Sequence, residues 1–420
     1  MAEKKKKQPF GSLRPDVDDI LDWNNLPADA FAKASSEEKS SFIQDRESVS
    51  YWKDAWRRLR RNKVAMVAMV IILLIALFAF VGPLLVPYSY DQVIPGANNL
   101  HPWHYSLEDL AAMDPELAVE EARAAAEAEG RELSRVEEAT IRAQAKAAGT
   151  EDIKPKLFGY TNDELHRMEN GEFVFPHVFG CDNQGRDIMV RTMIGARVSM
   201  IVGICCAIIV LVIGALYGSI SGYCGGRVDT IMQRIVEIIY TIPEVLIILL
   251  LGSTLKPIFE EFQNSGDGFL QQMVTLLGAN LISIFITFGL LYWVTMSRLI
   301  RGQILQLKQQ EYVTAARALG ASGGRIIKRH LLPNCIGQIV TTTFLQIPSA
   351  IFTEAFLSFL GMGVSAPMTS LGSMCSDGLK GLTTYPYRLF IPAAILSLMI
   401  LCLNLFGDGL RDALDPRLKK

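Results

Sequence analysis

Long apolar runs separated by short polar stretches dominate this chain, and each run approaches the length of a bilayer crossing. A helix rises about 1.5 Å per residue, so spanning the hydrocarbon takes roughly 20 apolar residues. The first run, Val64 to Val86, is uninterrupted by charge. Others cover about Met200 to Tyr217, Ile231 to Leu251, Leu281 to Met296, Ile336 to Leu360 and Leu389 to Phe406. The pattern predicts an all-α membrane protein with six transmembrane helices. The third run is the weakest on hydropathy, because it holds two acids and Pro243.

Between the first two runs the pattern changes. From Ser106 to Thr150 the chain is rich in Ala and Glu, with Arg at helical spacing from Glu. Those residues are strong helix formers, and such pairs add a little support. The stretch predicts one or two solvated helices breaking near Gly130. It serves either as an acidic solubilising insert or as a docking surface for an external partner.

Charge orients the spans, since Lys and Arg in short flanks stay on the cytoplasmic side. Lys53, Arg57, Arg58, Arg60, Arg61 and Lys63 crowd the entrance to the first span, which predicts a cytoplasmic N-terminus. Six spans then put Arg298 to Pro333 on the same side, with Arg298, Arg301, Lys308, Arg317, Arg325, Lys328 and Arg329. The tail, with Arg411, Arg417, Lys419 and Lys420, follows. The opposite loops near Lys256 and Lys380 are poor in basic residues, whereas Arg186, Arg191 and Arg197 run against the rule. The resulting segments are a cytoplasmic tail and lead-in (1–63), the first span (64–86), and an extracytoplasmic segment carrying the helical insert (87–196). A five-helix core (197–410) containing the loop 298–333 and a cytoplasmic tail (411–420) complete the chain.

Composition narrows the classes. Half of the 420 residues are hydrophobic, a fifth are charged, and the net charge is −2. No nucleic-acid footprint is visible. The seven cysteines show no metal-ligand spacing, and Cys205, Cys206 and Cys402 fall in apolar runs, where a thiol packs as a small hydrophobe. Some sixty polar residues precede the first run, so it reads as a retained anchor rather than a cleavable signal. Lys4 to Lys7 read as a disordered tail able to touch anionic lipid.

The most informative stretch is QQEYVTAARALGASGGRIIKRHLLPN, Gln309 to Asn334. Glu311 to Leu319 predicts a short helix stopped by Gly320. Ser322 reads as the cap of a second helix through Leu331, ended by Pro333. Helices this short are marginal alone and need a groove to sit in. Ala315 and Ala316 are small enough to let another backbone approach.

This segment resembles the cytoplasmic coupling loop of importer-type ABC permeases, whose pattern is Glu-Ala-Ala, three residues, Gly, nine residues, Ile, any residue, Leu-Pro. Ala315, Ala316, Gly320, Leu332 and Pro333 match in register. Thr314 stands where Glu is usual, which removes a salt bridge from that position, and His330 replaces Ile. FGCDNQGRDIMVRTMIGARVS (Phe179–Ser199), GYCGGRVDTIMQRIVEIIYTIP (Gly222–Pro243), EAFLSFLGMGV (Glu354–Val364) and NLFGDGLRDALDPRLK (Asn404–Lys419) are similar to the C-type permease of dipeptide and oligopeptide importers. The resemblance covers the first span and Phe179 onward, but not the insert.

It implies the type I ABC importer permease fold in a bacterial inner membrane. The implied partners are a second permease, two ATPase subunits and an extracytoplasmic peptide-binding protein, besides membrane lipid. The chain has no Gly-x-x-x-x-Gly-Lys-Ser/Thr loop. No cofactor is therefore expected on it, and ATP and Mg belong to the partner ATPases. Glu311, Tyr312, Thr314, Ala315, Ala316, Arg317, Leu319, Gly320, Ala321 and Arg325 are the candidate coupling residues.

Acids in spans are costly and mark pathways or pairs. Glu237 and Glu244, seven apart on one face around Pro243, and Glu354 in the fifth span are the candidates for the translocation path. For Glu237 and Glu354 the alternative is an interfacial position, solvated or paired. Asn404 reads as bonding a neighbouring helix, and Asp408, Asp412 and Asp415 as caps or partner contacts. Gly214, Gly218 and Gly222 recur every four residues, a close-packing stripe suited to the second permease. The competing readings are a proton-coupled secondary transporter with the three glutamates as relays, or an ABC permease for a non-peptide solute such as nickel.

Overall fold

The computed structural model describes residues 50–102, 115–128, 131, 133–148, 158–265, 268, 271–272, 278–364 and 368–414. Lys4 to Lys7, Gly130, Asp415, Arg417, Lys419 and Lys420 lie outside them. Apart from two isolated bridges, the described residues form helices and loops, as the sequence pattern predicts.

The chain enters through α1 (Tyr51–Arg61) and α2 (Lys63–Phe80), the latter capped by the Asn62 side chain, which accepts from Ala65 N at 3.2 Å. Uninterrupted apolar residues make α2 a span, and Pro83 opens a separate single turn, α3 (Gly82–Leu85). Ala65, Ala68, Ile75 and Ala79 face the protein, whereas Val67, Val70, Leu74 and Leu77 point outward. With no polar partner on that outer stripe, lipid is its natural solvent.

The insert forms α4 (Pro115–Ala128) and α5 (Arg135–Ala148), two helices as its composition predicts. They pack on each other, held by two hydrogen bonds from Arg142 to Glu116 (2.6 and 2.9 Å) and by an Arg123–Glu138 ion pair. The short helix α6 (Asn162–Glu169) follows.

Six helices build the core. They are α7 (Ile188–Cys224), α8 (Gly226–Thr241), α9 (Glu244–Ser265), α10 (Ala279–Leu291), α11 (Trp293–Leu307) and, after the coupling segment, α14 (Ile336–Phe359). The short α15 (Leu371–Leu379) and the long α16 (Tyr387–Leu414) complete the described chain. At 37 residues α7 is about 55 Å long and projects beyond any bilayer core. It packs against α11 and α14, and α16 packs against α14, α15 and α2. Phe288, Ile300, Ile351 and Met399 are sealed between these helices.

Among the described residues, five helices are long and apolar enough to cross a membrane, or six if the bent pair α8–α9 counts as one. That pair corrects the third predicted run. Pro243 has no N–H to donate, and the residue before it, Ile242, is driven to an extended conformation (φ −85°, ψ 134°). The two helix axes differ by 88°. The fourth span reaches Leu307 instead of Met296, because Ser297, Arg298 and Arg301 end the hydropathy but not the helix.

The glycine stripe is a second correction. A Cβ on Gly214 would lie 2.6 Å from Met296 Cβ, and one on Gly222 3.0 Å from Arg301 O. The stripe is thus filled by α11 of the same chain and is closed to another permease.

The arginines that defy the charge rule are all paired. Arg197 donates to the last carbonyls of α2, Ala79 O (3.0 Å) and Phe80 O (3.2 Å). Arg186 (2.8 Å) and Arg191 both bind the carboxylate of Asp182. The seven cysteines are unpaired, with Cys206 and Cys402 buried.

Candidate functional site

The segment from Lys308 to Cys335 is anchored at its first residue. α11 ends at Leu307, and Lys308 Nζ donates to Gly222 O (2.8 Å) at the end of α7. Helix α12 (Glu311–Ala318) then turns at Gly320 (φ +83°) into α13 (Gly323–Ile326). A π turn (Ile327–Leu331) and a 3-10 turn (Leu332–Cys335) lead directly into α14. Pro333 therefore opens the last turn before the span and does not end the segment, since a proline at a first turn forfeits no needed hydrogen bond. Ser322 occupies the N-cap position of α13, but its side chain makes no cap hydrogen bond.

One buried stripe fixes the segment. Val313, Ile326 and Leu331 are fully buried and join Ile300, Ile304 and Met296 in one cluster, so the bundle core continues into the segment. The opposite face of α12 is open. Tyr312, Ala315 and Leu319 fall at i, i+3 and i+7 on that face, with Leu319 89 % exposed. Ala316 beside them is half-buried, as is Ala321 in the turn, while Glu311, Thr314, Arg317 and Arg325 are exposed. The ten residues chosen from sequence thus form one projecting ridge with an apolar crest and a charged margin.

Tyr223, Gly323, Asn334, Arg301 and Asp229, none of them among the sequence candidates, support it. The Arg317 guanidinium lies 5.9 Å from the Tyr223 ring centroid, and a Cβ at Gly323 would touch that ring at 2.8 Å. Asn334 Nδ2 donates to Tyr312 Oη at 3.2 Å. Arg301 clamps Asp229 on α8 with two hydrogen bonds of 2.6 Å, and Ser221 of α7 also donates to that carboxylate. The basic charge inside the apolar pattern of α11 and the Asp in GGRVDT were the available signals.

The path candidates separate. Glu354 is fully buried, accepting from Ser199 (2.8 Å) of α7 and Ser358 (2.7 Å) of its own helix. It lines no open space, and its reading as a path residue is corrected to that of an internal staple. Glu237 is exposed and paired with Arg234 one turn away at 2.7 Å. Glu244 begins α9 beyond the 88° bend, so the shared face predicted for it and Glu237 does not exist. Asn404 Nδ2 donates to Ile400 O of its own helix (2.9 Å), not to a neighbour.

Two openings lie elsewhere, with exposed residues such as Tyr240, Phe352 and Asn404 on their walls. A cavity of about 400 Å³ sits inside the bend, against Ile239, Thr241 and Leu291, and a groove of about 460 Å³ runs past Gln346, Ser349 and Asn404. Tyr292 and Thr295 line both, and Tyr292 Oη is 3.0 Å from Thr353 Oγ1. Every polar group named on these walls is neutral.

At the other end of the bundle a platform of residues 87–102 and 158–187 covers the start of α7. Tyr387 Oη donates into it, to Leu100 O (3.0 Å), and Tyr88 Oη donates to Phe175 O (2.6 Å). At its heart His177 Nδ1 lies 2.6 Å from Asp187 Oδ2, and His177 Nε2 3.2 Å from Glu164 Oε1. Burial alone would lower the His177 pKa, but bonds to Asp187, Cys181 and Glu164 push it up to about 12. Burial pushes the Cys181 thiol up to about 11. Burial would also raise Glu164, yet bonds from His177 and Thr161 hold it below the ordinary carboxylate range.

A bundle of five to six apolar membrane-length helices among the described residues, with a ridge rooted in its core, defines a multi-pass membrane protein. Residues 214–420 match the model of the binding-protein-dependent transport system inner membrane component, and residues 50–102 that of the N-terminal transmembrane domain of oligopeptide transport permease C. The chain is 37% identical over 396 residues to an oligopeptide transport system permease protein of Bacillus subtilis (strain 168), covering 94% of this chain and 99% of that one. A dipeptide transport system permease protein of the same organism is 34% identical, over 94% and 95% of the two chains. An oligopeptide transport system permease protein of Escherichia coli (strain K12) is 33% identical, over 92% and 98%. The chain belongs to the family of binding-protein-dependent transport system inner membrane components, and its fold is that of the type I ABC importer permease.

Proposed function

We propose that this chain is a permease subunit of an ATP-driven importer of dipeptides and oligopeptides. The carrying observation is the ridge of α12, rooted through Val313, Ile326 and Leu331 in the same apolar core as the spans. A ridge tied this way moves with α11 and α14, so a push on its exposed crest reaches Tyr292, Thr295 and the two openings. The chain lacks a phosphate loop, so the push comes from nucleotide-dependent closure of two separate ATPase subunits, which hold ATP and Mg. Alternating access is then a population shift between two bundle arrangements.

A second permease completes the path, and an extracytoplasmic binding protein delivers the peptide. Both termini face the cytoplasm of a bacterial cell, with the platform outside. The neutral lining of the groove favours peptides, because Gln346, Ser349, Thr295 and Asn404 match the donors and acceptors of a peptide backbone without selecting a side-chain charge. A nickel ion would call for anionic or imidazole ligands there. Proton relay is disfavoured for a related reason: Glu354 is sealed and Glu237 is tied to Arg234.

The test is uptake of labelled peptide into vesicles carrying the assembled complex. Uptake should stop on ATP depletion and survive a protonophore, and mild-detergent affinity purification should recover two ATPase chains and a second permease. The reverse pattern of inhibition would remove the ABC reading.

A further inference from the structure

We propose that His177, Cys181 and Asp187 form a zinc site in the platform that covers the start of α7. The three side chains are buried, and their Nδ1 or Nε2, Sγ and carboxylate atoms all lie within 4.8 Å of one another. Nitrogen, thiolate and carboxylate together are a donor set that zinc accepts.

The backbone builds the cluster. His177 and Cys181 are each held in an isolated antiparallel bridge, the first with Gly159 and the second with Asp187 itself. The hairpin from Cys181 to Asp187 closes through Ile188 N to Gly180 O (3.0 Å) and Asp182 N to Arg186 O (3.0 Å), and the turn from His177 to Cys181 through Gly180 N to His177 O (3.0 Å). Gly180 (φ +72°) is the turn, and a Cβ on it would strike the Leu100 carbonyl. Asp187 is additionally fixed as the N-cap of α7, its Oδ1 accepting from Val190 N at 2.8 Å. The donors therefore converge on a framework that does not depend on a bound ion.

Glu164 supplies the outer partner. Its Oε1 faces His177 Nε2 at 3.2 Å, so it takes the Nε2–H bond and leaves Nδ1 for the metal, the carboxylate–histidine–zinc arrangement. Tyr88 stacks on the same ring (4.6 Å between centroids) and fixes its plane.

Geometry and charge both allow the ion. Zinc bonds of about 2.0–2.2 Å to N and O at tetrahedral angles separate those atoms by about 3.3 Å. The 2.6 Å contact of His177 Nδ1 with Asp187 Oδ2 must open by roughly 0.7 Å, within the reach of small side-chain rotations. Two buried carboxylates face one imidazole here, and the other nearby acid, Asp182, is already matched by Arg186 and Arg191. Zinc entering as Zn²⁺ displaces the Cys181 thiol proton and the Nδ1 proton to water. It binds neutral imidazole, thiolate and carboxylate, with water as fourth ligand, and nothing is oxidised or reduced. The ligands are spaced His-x3-Cys-x5-Asp, a pattern invisible when the cysteines are compared only with each other.

The test uses the full-length chain in detergent, purified through a tag without histidine. After incubation with zinc and desalting, mass spectrometry of metals should find about one zinc per chain. Cobalt in its place should give a thiolate-to-metal charge-transfer band. Cys181→Ser should lose both, and Glu164→Gln should weaken zinc binding about 10–100-fold, the usual effect of losing such a partner. X-ray absorption at the zinc edge of the wild-type protein should show one sulfur neighbour, a readout that stands even where Cys181→Ser fails to fold. Absence of zinc and of the cobalt band, equal zinc in folded Cys181→Ser, or a zinc shell without sulfur would each overturn the site.

Discussion

Arg301 holds Asp229 in a parallel two-bond clamp, with Nε to Oδ1 and Nη2 to Oδ2 both at 2.6 Å. The pair ties α11, which leads into the coupling segment, to α8, the first half of the bent span. A planar guanidinium fits a carboxylate in this way, and Lys does not. In the proposed mechanism the clamp would carry motion of α11, which leads into α12, to the first turn of α8 and so to the helix that ends at the bend.

Cutting that route should separate stability from coupling. Arg301→Lys keeps the charge but loses the fork, so the complex should assemble while peptide uptake per ATP falls at least fivefold. Asp229→Asn should behave alike, with a stability loss of about 1–2 kcal/mol, the low side for charged hydrogen bonds because the pair is partly exposed. The measurement is paired ATPase and uptake rates in proteoliposomes, with thermal unfolding as control. Unchanged coupling in both variants would remove the clamp from the mechanism.

Gly320 gives a second handle. Its φ of +83° lies where an L side chain is disfavoured, and no atom crowds the position of its Cβ. The strain is thus purely backbone, about 1–2 kcal/mol for a β-branched residue. Gly320→Val should reorient Leu319 and the crest of α12, leaving membrane insertion normal. ATP hydrolysis should continue while uptake drops several-fold. Gly302, which also has free space at its Cβ but ordinary backbone angles, should tolerate Ala and serves as the control.

The parts legible in the sequence were those governed by one-dimensional patterns. Ile336–Leu360 reads as a span because helix and hydropathy end together there, at Phe359. The apolar run Val64–Val86, by contrast, outlasts its helix, which stops at Phe80 before the turn opened by Pro83. Glu311–Leu319 read as a helix because Gly320 stops it. The losses came where long-range packing decided. Pro243 was visible, but not that it would turn the chain by 88° and part Glu237 from Glu244. The glycines of α7 announced a close neighbour without saying that it is α11. Glu354 looked like a path residue because an acid in a span has two physical solutions, a wet path or a buried pair. Only the placement of Ser199, 155 positions earlier, chooses between them.

The two helices of the insert pack on each other, α4 against α5. They hold each other through Arg142–Glu116 and Arg123–Glu138, and isolated surface pairs contribute only about 0–1 kcal/mol. Removing residues 115–148 and joining the flanks with a Gly/Ser linker should leave membrane insertion and assembly with the ATPases unchanged. A fall in peptide uptake at unchanged assembly would assign the hairpin to delivery by the external partner. Failed assembly would make it structural.

Glu354 distinguishes the staple from the path. Ser199 Oγ and Ser358 Oγ both spend their donors on its carboxylate, and Ser358 Oγ in turn accepts from Val364 N at 3.0 Å. Glu354→Ala strands two buried hydroxyls at about 1–3 kcal/mol each and leaves a void besides. The amide of Glu354→Gln keeps an acceptor and should cost about 1–2 kcal/mol less than that. Thermal unfolding in detergent should therefore rank wild type above Gln and Gln above Ala. Uptake should follow the amount of folded protein, with the preference among acidic, neutral and basic peptides unchanged in both variants. A Gln variant as stable as wild type that loses uptake of cationic peptides alone would return this carboxylate to the translocation path, because a sealed staple has no means of sensing the charge of a passing side chain.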